Sequence, residues 1–318
     1  MKRFYKNMTY IIIFFMLLII FTVTYNIYTT PIAKHKVFGV SYMTMNNPFY
    51  KIINNEILKV VEKNNDALIT LDPELDVDKQ NEQIYKFIDA KVDGIFINPI
   101  DFEQIEPALQ AAKRADIPVI IIDAPVSDES LVNCTIVSDN YDAGVQCAKD
   151  MMERLDSANI VLLKHTTAKS AKERIEGFLS VIDNNEKYKV INEAECDGQL
   201  EIAMPKMQEI IEETPDIDVV MALNDPSALG ALAALEKNNK NNDVMVYGID
   251  GTPEIKALIG RNQMIVGTVA QSPIKMGQIA VENMYNILNG KKIEKNIIIP
   301  ISLINKENLF KYDEDRWQ

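Results

Sequence analysis

Val37-Phe38-Gly39-Val40-Ser41-Tyr42 is a short apolar run that passes directly into Met43-Thr44-Met45-Asn46-Asn47-Pro48-Phe49-Tyr50. The first six residues read as a buried strand, because strands of a parallel sheet are covered on both faces and need no polar alternation. The Asn pair ends it, Pro48 suits the first turn of a helix, and two aromatics follow. Phe49, Ile53, Ile57 and Val61 then recur every four residues as one apolar stripe, while Lys51, Asn55 and Glu62 point elsewhere. A helix over 49–64 is predicted from that spacing. The junction gathers amides and ring faces at one strand end, as half of a ligand clamp would.

Outward from this unit the pattern repeats. Apolar runs at 67–72, 94–98 and 118–123 alternate with amphipathic segments at 78–90 and 105–115, and a strand at 134–138 follows without a full helical crossover before it. A second series then begins, with helices at 141–155, 170–184, 201–213 and 226–238 and strands at 159–164, 188–194, 219–222 and 244–250. A helix at 274–288 and a final extended run at 296–304, interrupted by Pro300, close the chain. Strand and helix in alternation make a parallel sheet, so the fold class is α/β with two Rossmann-like doubly wound lobes. No low-complexity linker separates the halves. The lobes are expected at 34–138 with 273–297 and at 139–272 with 298–318, joined by short crossings near 138–140 and 271–273.

Composition narrows the function. The chain has 318 residues, 47% of them hydrophobic and 25% charged, which suits about two ordinary globular domains. A net charge of -13 disfavours a non-specific grip on nucleic acid or an anionic membrane surface, since both reward Lys and Arg. The three cysteines, Cys134, Cys147 and Cys196, show neither C-x-x-C nor metal-ligand spacing, and no disulfide framework is inferred. At the N-terminus Lys2, Arg3 and Lys6 precede a strongly apolar stretch, and residues 7–33 carry no charge. A cleaved signal peptide needs only about 7 to 15 apolar residues, a membrane anchor about 20. With no small-x-small site and no lipidatable Cys after the run, residues 1–33 are read as a basic cytoplasmic end plus an uncleaved single-pass anchor. The rest of the chain then lies outside the cytoplasm.

The chemistry sits where strands stop. Val37 to Tyr42 leads to Asn46 and Asn47, Gly94 to Ile97 stops at Asn98, and Val119 to Ile122 at Asp123. In the second half Val219 to Leu223 stops at Asn224, and Val244 to Ile249 at Asp250. Taken singly, each is as readily a helix cap or turn residue as a ligand contact. Taken together, they lie at the carboxyl ends of strands, where open α/β sheets bind ligands. Asn offers donor and acceptor atoms, and an ionised Asp accepts side by side, which matches the vicinal hydroxyls of a sugar or polyol. Phe49 and Tyr50 could lie against the apolar C–H faces of a ring.

The segments Asn46-Asn47-Pro48-Phe49-Tyr50, Ile97-Asn98-Pro99, Val137-Ser138-Asp139-Asn140, Glu173-Arg174-Ile175-Glu176-Gly177-Phe178, Asn224-Asp225-Pro226, Gly248-Ile249-Asp250-Gly251-Thr252-Pro253 and Val269-Ala270-Gln271 occur in an order that resembles the periplasmic sugar-binding proteins of the ribose-binding type. The resemblance covers nearly everything from Lys36 onward. It implies two lobes joined by a three-crossing hinge and closing around one sugar. By position it carries sugar contacts onto Asn47, Phe49, Tyr50, Asn98, Asp123, Asn224, Asp250 and Gln271. Ribose binders of this type follow the equivalent of Asp123 with an Arg, where this chain has Ala124. A second sugar-contacting Arg falls on Lys172, which keeps the charge without the planar fork. An aromatic expected near Cys196 to Gly198 is absent, and another falls on Ile249. The pocket is therefore expected to be roomier and less cationic, suited to a hexose, ketose, polyol or modified sugar. The partner implied is an ABC permease or, alternatively, a membrane sensor kinase; no cofactor or metal is implied.

Two other classes fare worse. An enzyme could use Asp123, Asp139 and Asp250 as paired carboxylates, yet only His35 and His165 are present, and G-x-S-x-G, P-loop, G-x-G-x-x-G and H-E-x-x-H patterns are missing. His165 reads as a loop residue rather than a general base. Sugar-responsive repressors share the two-lobed fold but need a basic helix-turn-helix where this chain has an uncharged apolar stretch.

Overall fold

The structure is a computed structural model and describes residues 2–29, 35–214, 216–240 and 244–318. It divides into two units, Met1–His35 and Lys36–Gln318. The first holds one helix, α1 (Lys2–Thr29), of 28 residues, in which side chains are described for residue 8 and residues 12–25 and are all exposed. Among the described residues no helix is long and apolar enough to cross a membrane. Much of the stretch read as an anchor lies outside the residues whose side chains are described.

In the second unit β1 (Val37–Ser41), α2 (Pro48–Lys63), β2 (Ala67–Leu71), α3 (Val77–Asp89), β3 (Gly94–Ile97), α4 (Glu106–Arg114), β4 (Val119–Ile122) and β5 (Cys134–Ser138) come first. They are followed by α5 (Asn140–Arg154), β6 (Ala158–Lys164), α6 (Lys169–Ile182), β7 (Tyr188–Glu195), α7 (Leu200–Glu213), β8 (Val219–Ala222), α8 (Asp225–Lys237), β9 (Met245–Asp250), α9 (Pro253–Leu258) and β10 (Ile265–Ala270). Then come α10 (Pro273–Leu288), β11 (Asn296–Ile299), β12 (Ser302–Asn305) and a short 3-10 turn at Leu309–Lys311. Two six-stranded sheets result, ordered β11-β5-β4-β3-β1-β2 and β12-β10-β9-β8-β6-β7. Within both, every neighbouring pair is parallel except β10 with β12. The predicted doubly wound α/β class is what forms. β3, β4 and β8 are buried along their whole length, as strands covered on both faces must be.

Two elements escaped the sequence reading. β10 carries Gly267 in its middle, which weakens the strand pattern, and α9 is only six residues long. The run at 296–304 is two strands in different sheets. β11 pairs with β5 through Ile299, and β12 pairs with β10 from Ser302. Pro300 and Ile301 carry the chain between them. Further passages from sheet to sheet run through Asp139, between β5 and α5, and through residues 271–272, between β10 and α10.

One helix pair decides where a key cation ends up. α5 and α6 cross at Gly144 and Gly177 so closely that a Cβ at Gly144 would lie 1.8 Å from the Arg174 carbonyl oxygen, and one at Gly177 1.9 Å from that of Tyr141. Only residues without a side chain permit this approach.

Candidate functional site

Each sheet order reverses beside its first strand, between β1 and β3 and again between β6 and β8. Ligand crevices open at such switch points. The loops at the carboxyl ends of both sheets face one another across a single cavity. It is lined by Asn47, Phe49, Tyr50 and Asp123 from the first lobe, by Arg174, Asn224 and Asp250 from the second, and by Gln271 from the passage between them. Asp123, Arg174, Asp250 and Gln271 are each at most 4% exposed. The rims touch: the Asn46 side-chain amide donates to Glu201 Oε1 at 2.9 Å, and the Phe102 N–H donates to the Thr167 carbonyl at 3.2 Å.

On the first lobe Asn47 is the N-cap of α2, its Oδ1 accepting from the Phe49 N–H at 2.9 Å. The cap fixes the first helical turn and so the two rings. Phe49 meets Tyr50 edge to face at 5.8 Å, and Tyr50 stacks on Tyr42 at 5.7 Å. Asn98 is fully buried but does not line the cavity. Its Oδ1 accepts from the Met43 N–H at 3.2 Å, and its Nδ2 donates to the Ile122 carbonyl at 3.1 Å and to Asp123 Oδ2 at 3.3 Å. It ties together the ends of three neighbouring strands and holds Asp123.

On the second lobe Asn224 caps α8, accepting from the Ser227 N–H at 3.0 Å and its hydroxyl at 2.7 Å, while its Nδ2 donates to the Gly198 carbonyl at 3.0 Å. Asp250 Oδ1 accepts from Gln271 Nε2 at 2.8 Å. Behind it Asp225 accepts from the Thr268 hydroxyl at 2.6 Å and the Thr252 N–H at 2.7 Å, and burial pushes its carboxyl up to about 6.

Lys172, on which the sequence reading placed the second cation, does not line this cavity, whereas Arg174 does. Lys172 is about half exposed, 4.0 Å from Glu176 and over the Phe102 ring, outside this cavity. Arg174, two residues on, is 3% exposed and lies between the two aspartates. Its Nε donates to Asn140 Oδ1 at 2.9 Å and its Nη1 to the Leu223 carbonyl at 3.0 Å. Asp123 Oδ1 is 3.8 Å from Nη2 and Asp250 Oδ1 3.9 Å from Nη1, attraction without hydrogen bonds. His165 and Gln199, which the strand-end argument passed over, also line the cavity, as does Asp197. Burial lowers the His165 imidazole against the opposing pull of Asp197, Glu195 and Asp101. Asp139, by contrast, caps α5 through the Asp142 N–H and stands outside.

The electrostatics of the cavity favour ligands that donate hydrogen bonds. Burial raises the Asp123 and Asp250 carboxyls, with Arg174 pulling each back. Asp123 Oδ1, Asp250 Oδ2 and Gln271 Oε1 are buried acceptors without a hydrogen-bond partner. Such atoms cost about 1–3 kcal/mol each until a donor arrives. Both aspartates also hold backbone angles that residues with a β-carbon rarely adopt, φ 70° at Asp123 and 149° at Asp250. Strain of this kind gathers at ligand clamps. The three cysteines are free and buried, and burial pushes the Cys134 and Cys196 thiols up to about 11, far from nucleophiles. Among the described residues no group of acidic, His or Cys side chains could hold a metal ion.

Residues 38–292 match the family described as a periplasmic binding protein domain. The chain is 32% identical over 272 residues to the ribose import binding protein of Bacillus subtilis, covering 85% of this chain and 87% of that one. It is 30% identical over 267 residues to the Escherichia coli ribose import binding protein, covering 83% and 88%. Among solved structures, the ABC transporter solute-binding protein of Bacillus halodurans with bound myo-inositol is similar at a TM-score of 0.82 and 26% identity, over 89% of this chain and 99% of that one.

Proposed function

This chain belongs to the periplasmic binding protein domain family, and from that premise we propose that it is an extracytoplasmic receptor that closes around a monosaccharide or polyol and presents it to an ABC sugar transporter. The observation that carries this reading is the convergence of three orphaned acceptors, Asp123 Oδ1, Asp250 Oδ2 and Gln271 Oε1, beside the Phe49 ring in one cavity. Hydroxyl groups supply the donors those atoms lack, and ring C–H faces suit the aromatic wall. Arg174 Nη2 can give a charge-assisted hydrogen bond to a hydroxyl oxygen set between it and Asp123. A ligand that bridges both lobes favours the closed form and shifts the population toward it. The short passages at Asp139, residues 271–272 and Pro300–Ile301 serve as the hinge. Asn47, Phe49, Tyr50, Asp123, Arg174, Asn224, Asp250 and Gln271 are assigned to the site, Asn98 to holding Asp123. Relatives named for ribose import and a neighbour holding myo-inositol support a small polyhydroxylated ligand and favour a permease over a sensor kinase as partner. Those relatives are named for binding rather than for catalysis.

Anchoring by residues 1–33 is part of the same reading. It is supported by the uncharged stretch behind Lys2, Arg3 and Lys6, and by Thr22 and Thr24, whose hydroxyls donate to carbonyls of their own helix and need no outside partner. The full chain in detergent should rise in thermal midpoint with at least one member of a panel that includes D-ribose, hexoses, ketoses and myo-inositol. Silence across the panel, with turnover of a sugar derivative, would sink the receptor reading. Release of the full chain from membranes by carbonate washing would sink the anchor.

A further inference from the structure

Phe49 is held from a direction no strand end provides. Its ring meets the Trp317 indole edge to face, centroids 5.7 Å apart at 65°. Trp317 lies in the last residues of the chain, beyond the part that matches the family. The segment that carries it is held at several further points. Lys256 on α9 is completely buried. Its ammonium donates to the Asp313 carbonyl at 2.5 Å and to the Arg316 carbonyl. The Tyr312 hydroxyl donates to Ser302 Oγ at 3.0 Å, and Arg261 pairs with Glu314 at 3.3 Å. A buried ammonium is costly without acceptors, so the burial of Lys256 and the docking of the tail depend on each other.

Lys256, Arg261 and Ser302 all belong to the second lobe, while Phe49 opens α2 in the first. The tail is thus fastened to one lobe and touches the aromatic wall of the ligand cavity on the other. We propose that residues 306–318 form a strap across the lobe boundary and that Trp317 is a positioning residue of the ligand site, acting through Phe49. It buttresses the ring that faces the ligand, and it makes that contact when the lobes are together. The positioning role rests on the sugar-binding reading; the docked strap does not.

Trp317 is the single tryptophan of the chain, so the full-length protein reports on it directly. In the ligand-free protein, acrylamide should quench Trp317 several-fold less than free tryptophanamide. Lys256→Met should raise that quenching. With whichever of D-ribose, myo-inositol or the other panel sugars binds by calorimetry, titration should shift the tryptophan emission. Trp317→Ala should weaken binding about 5- to 30-fold, mainly through faster release, and Trp317→Phe should restore most of it. Phe49→Leu and Trp317→Ala combined should lose less than the product of their separate effects, as residues acting as a unit do. Full quenching of Trp317 in the free protein would overturn the strap whether or not a ligand is found. Calorimetric binding with silent emission and an affinity within twofold in Trp317→Ala would overturn the positioning role alone. A panel without any binder would overturn the sugar reading and the positioning role, with a shielded Trp317 still supporting the docked tail.

Discussion

Arg174 and Lys172 stand two positions apart on α6 with the same charge, yet of the two only Arg174 lines the cavity between the lobes. Successive helical residues turn by about 100°, so two positions put side chains on nearly opposite faces. The buried stripe of α6 runs through Ala171, Ile175, Phe178 and Ile182, and Arg174 lies against it while Lys172 does not. That stripe was present in the sequence and would have singled out Arg174, had charge been weighed together with phase. Arg174→Met should lower sugar affinity by roughly 30-fold or more, from the about 2–5 kcal/mol typical of removing one buried charged partner. Lys172→Met should leave it within about twofold. Calorimetric titration of both variants with a sugar from the panel decides; equal losses would put Lys172 back in the site.

At the scale of elements, the α5–α6 crossing is what delivers Arg174 to the two aspartates. A methyl at Gly177 would have to displace the Tyr141 carbonyl, and backbone yields less readily than a side chain. Gly177→Ala should therefore destabilise the second lobe by about 3 kcal/mol, the upper part of the usual overpacking range, and should weaken ligand binding as Arg174 moves. Thermal unfolding followed with and without ligand checks both effects; an unchanged midpoint would mean that the helices part at little cost. Most elements were legible because buried strands and striped helices write their periods into the chain. β10 and α9 were less so, because a mid-strand glycine and a six-residue length blur those periods. The partition of 296–304 into two sheets was not legible at all, since an extended run looks the same whichever sheet it joins.

At the scale of the whole molecule, the buried carboxylates link stability to pH. Burial raises Asp123 and Asp250 in the folded protein, so the native state holds these protons more tightly than the unfolded chain. Their contribution to stability is greatest at low pH and falls as pH rises from the usual carboxylate range near 4 through the raised folded values. Asp250→Asn cannot ionise, so its thermal midpoint without ligand should gain on the wild type as pH climbs from about 4 to 7. A gap that is flat across that range would show that Asp250 titrates normally.

The sequence by itself determined the α/β class, the two-lobed pattern, the likeness to sugar-binding proteins and most of the strand-end residues. All of these follow from local periods and from which side chains stand where a strand stops. Tertiary structure alone decided that the tail returns to Phe49 and that His165, in the loop between β6 and α6, lines the cavity. It also showed that Asn98 spends its amide on backbone and on Asp123. These are contacts between residues distant along the chain, and nothing in the local spacing of either partner encodes the other.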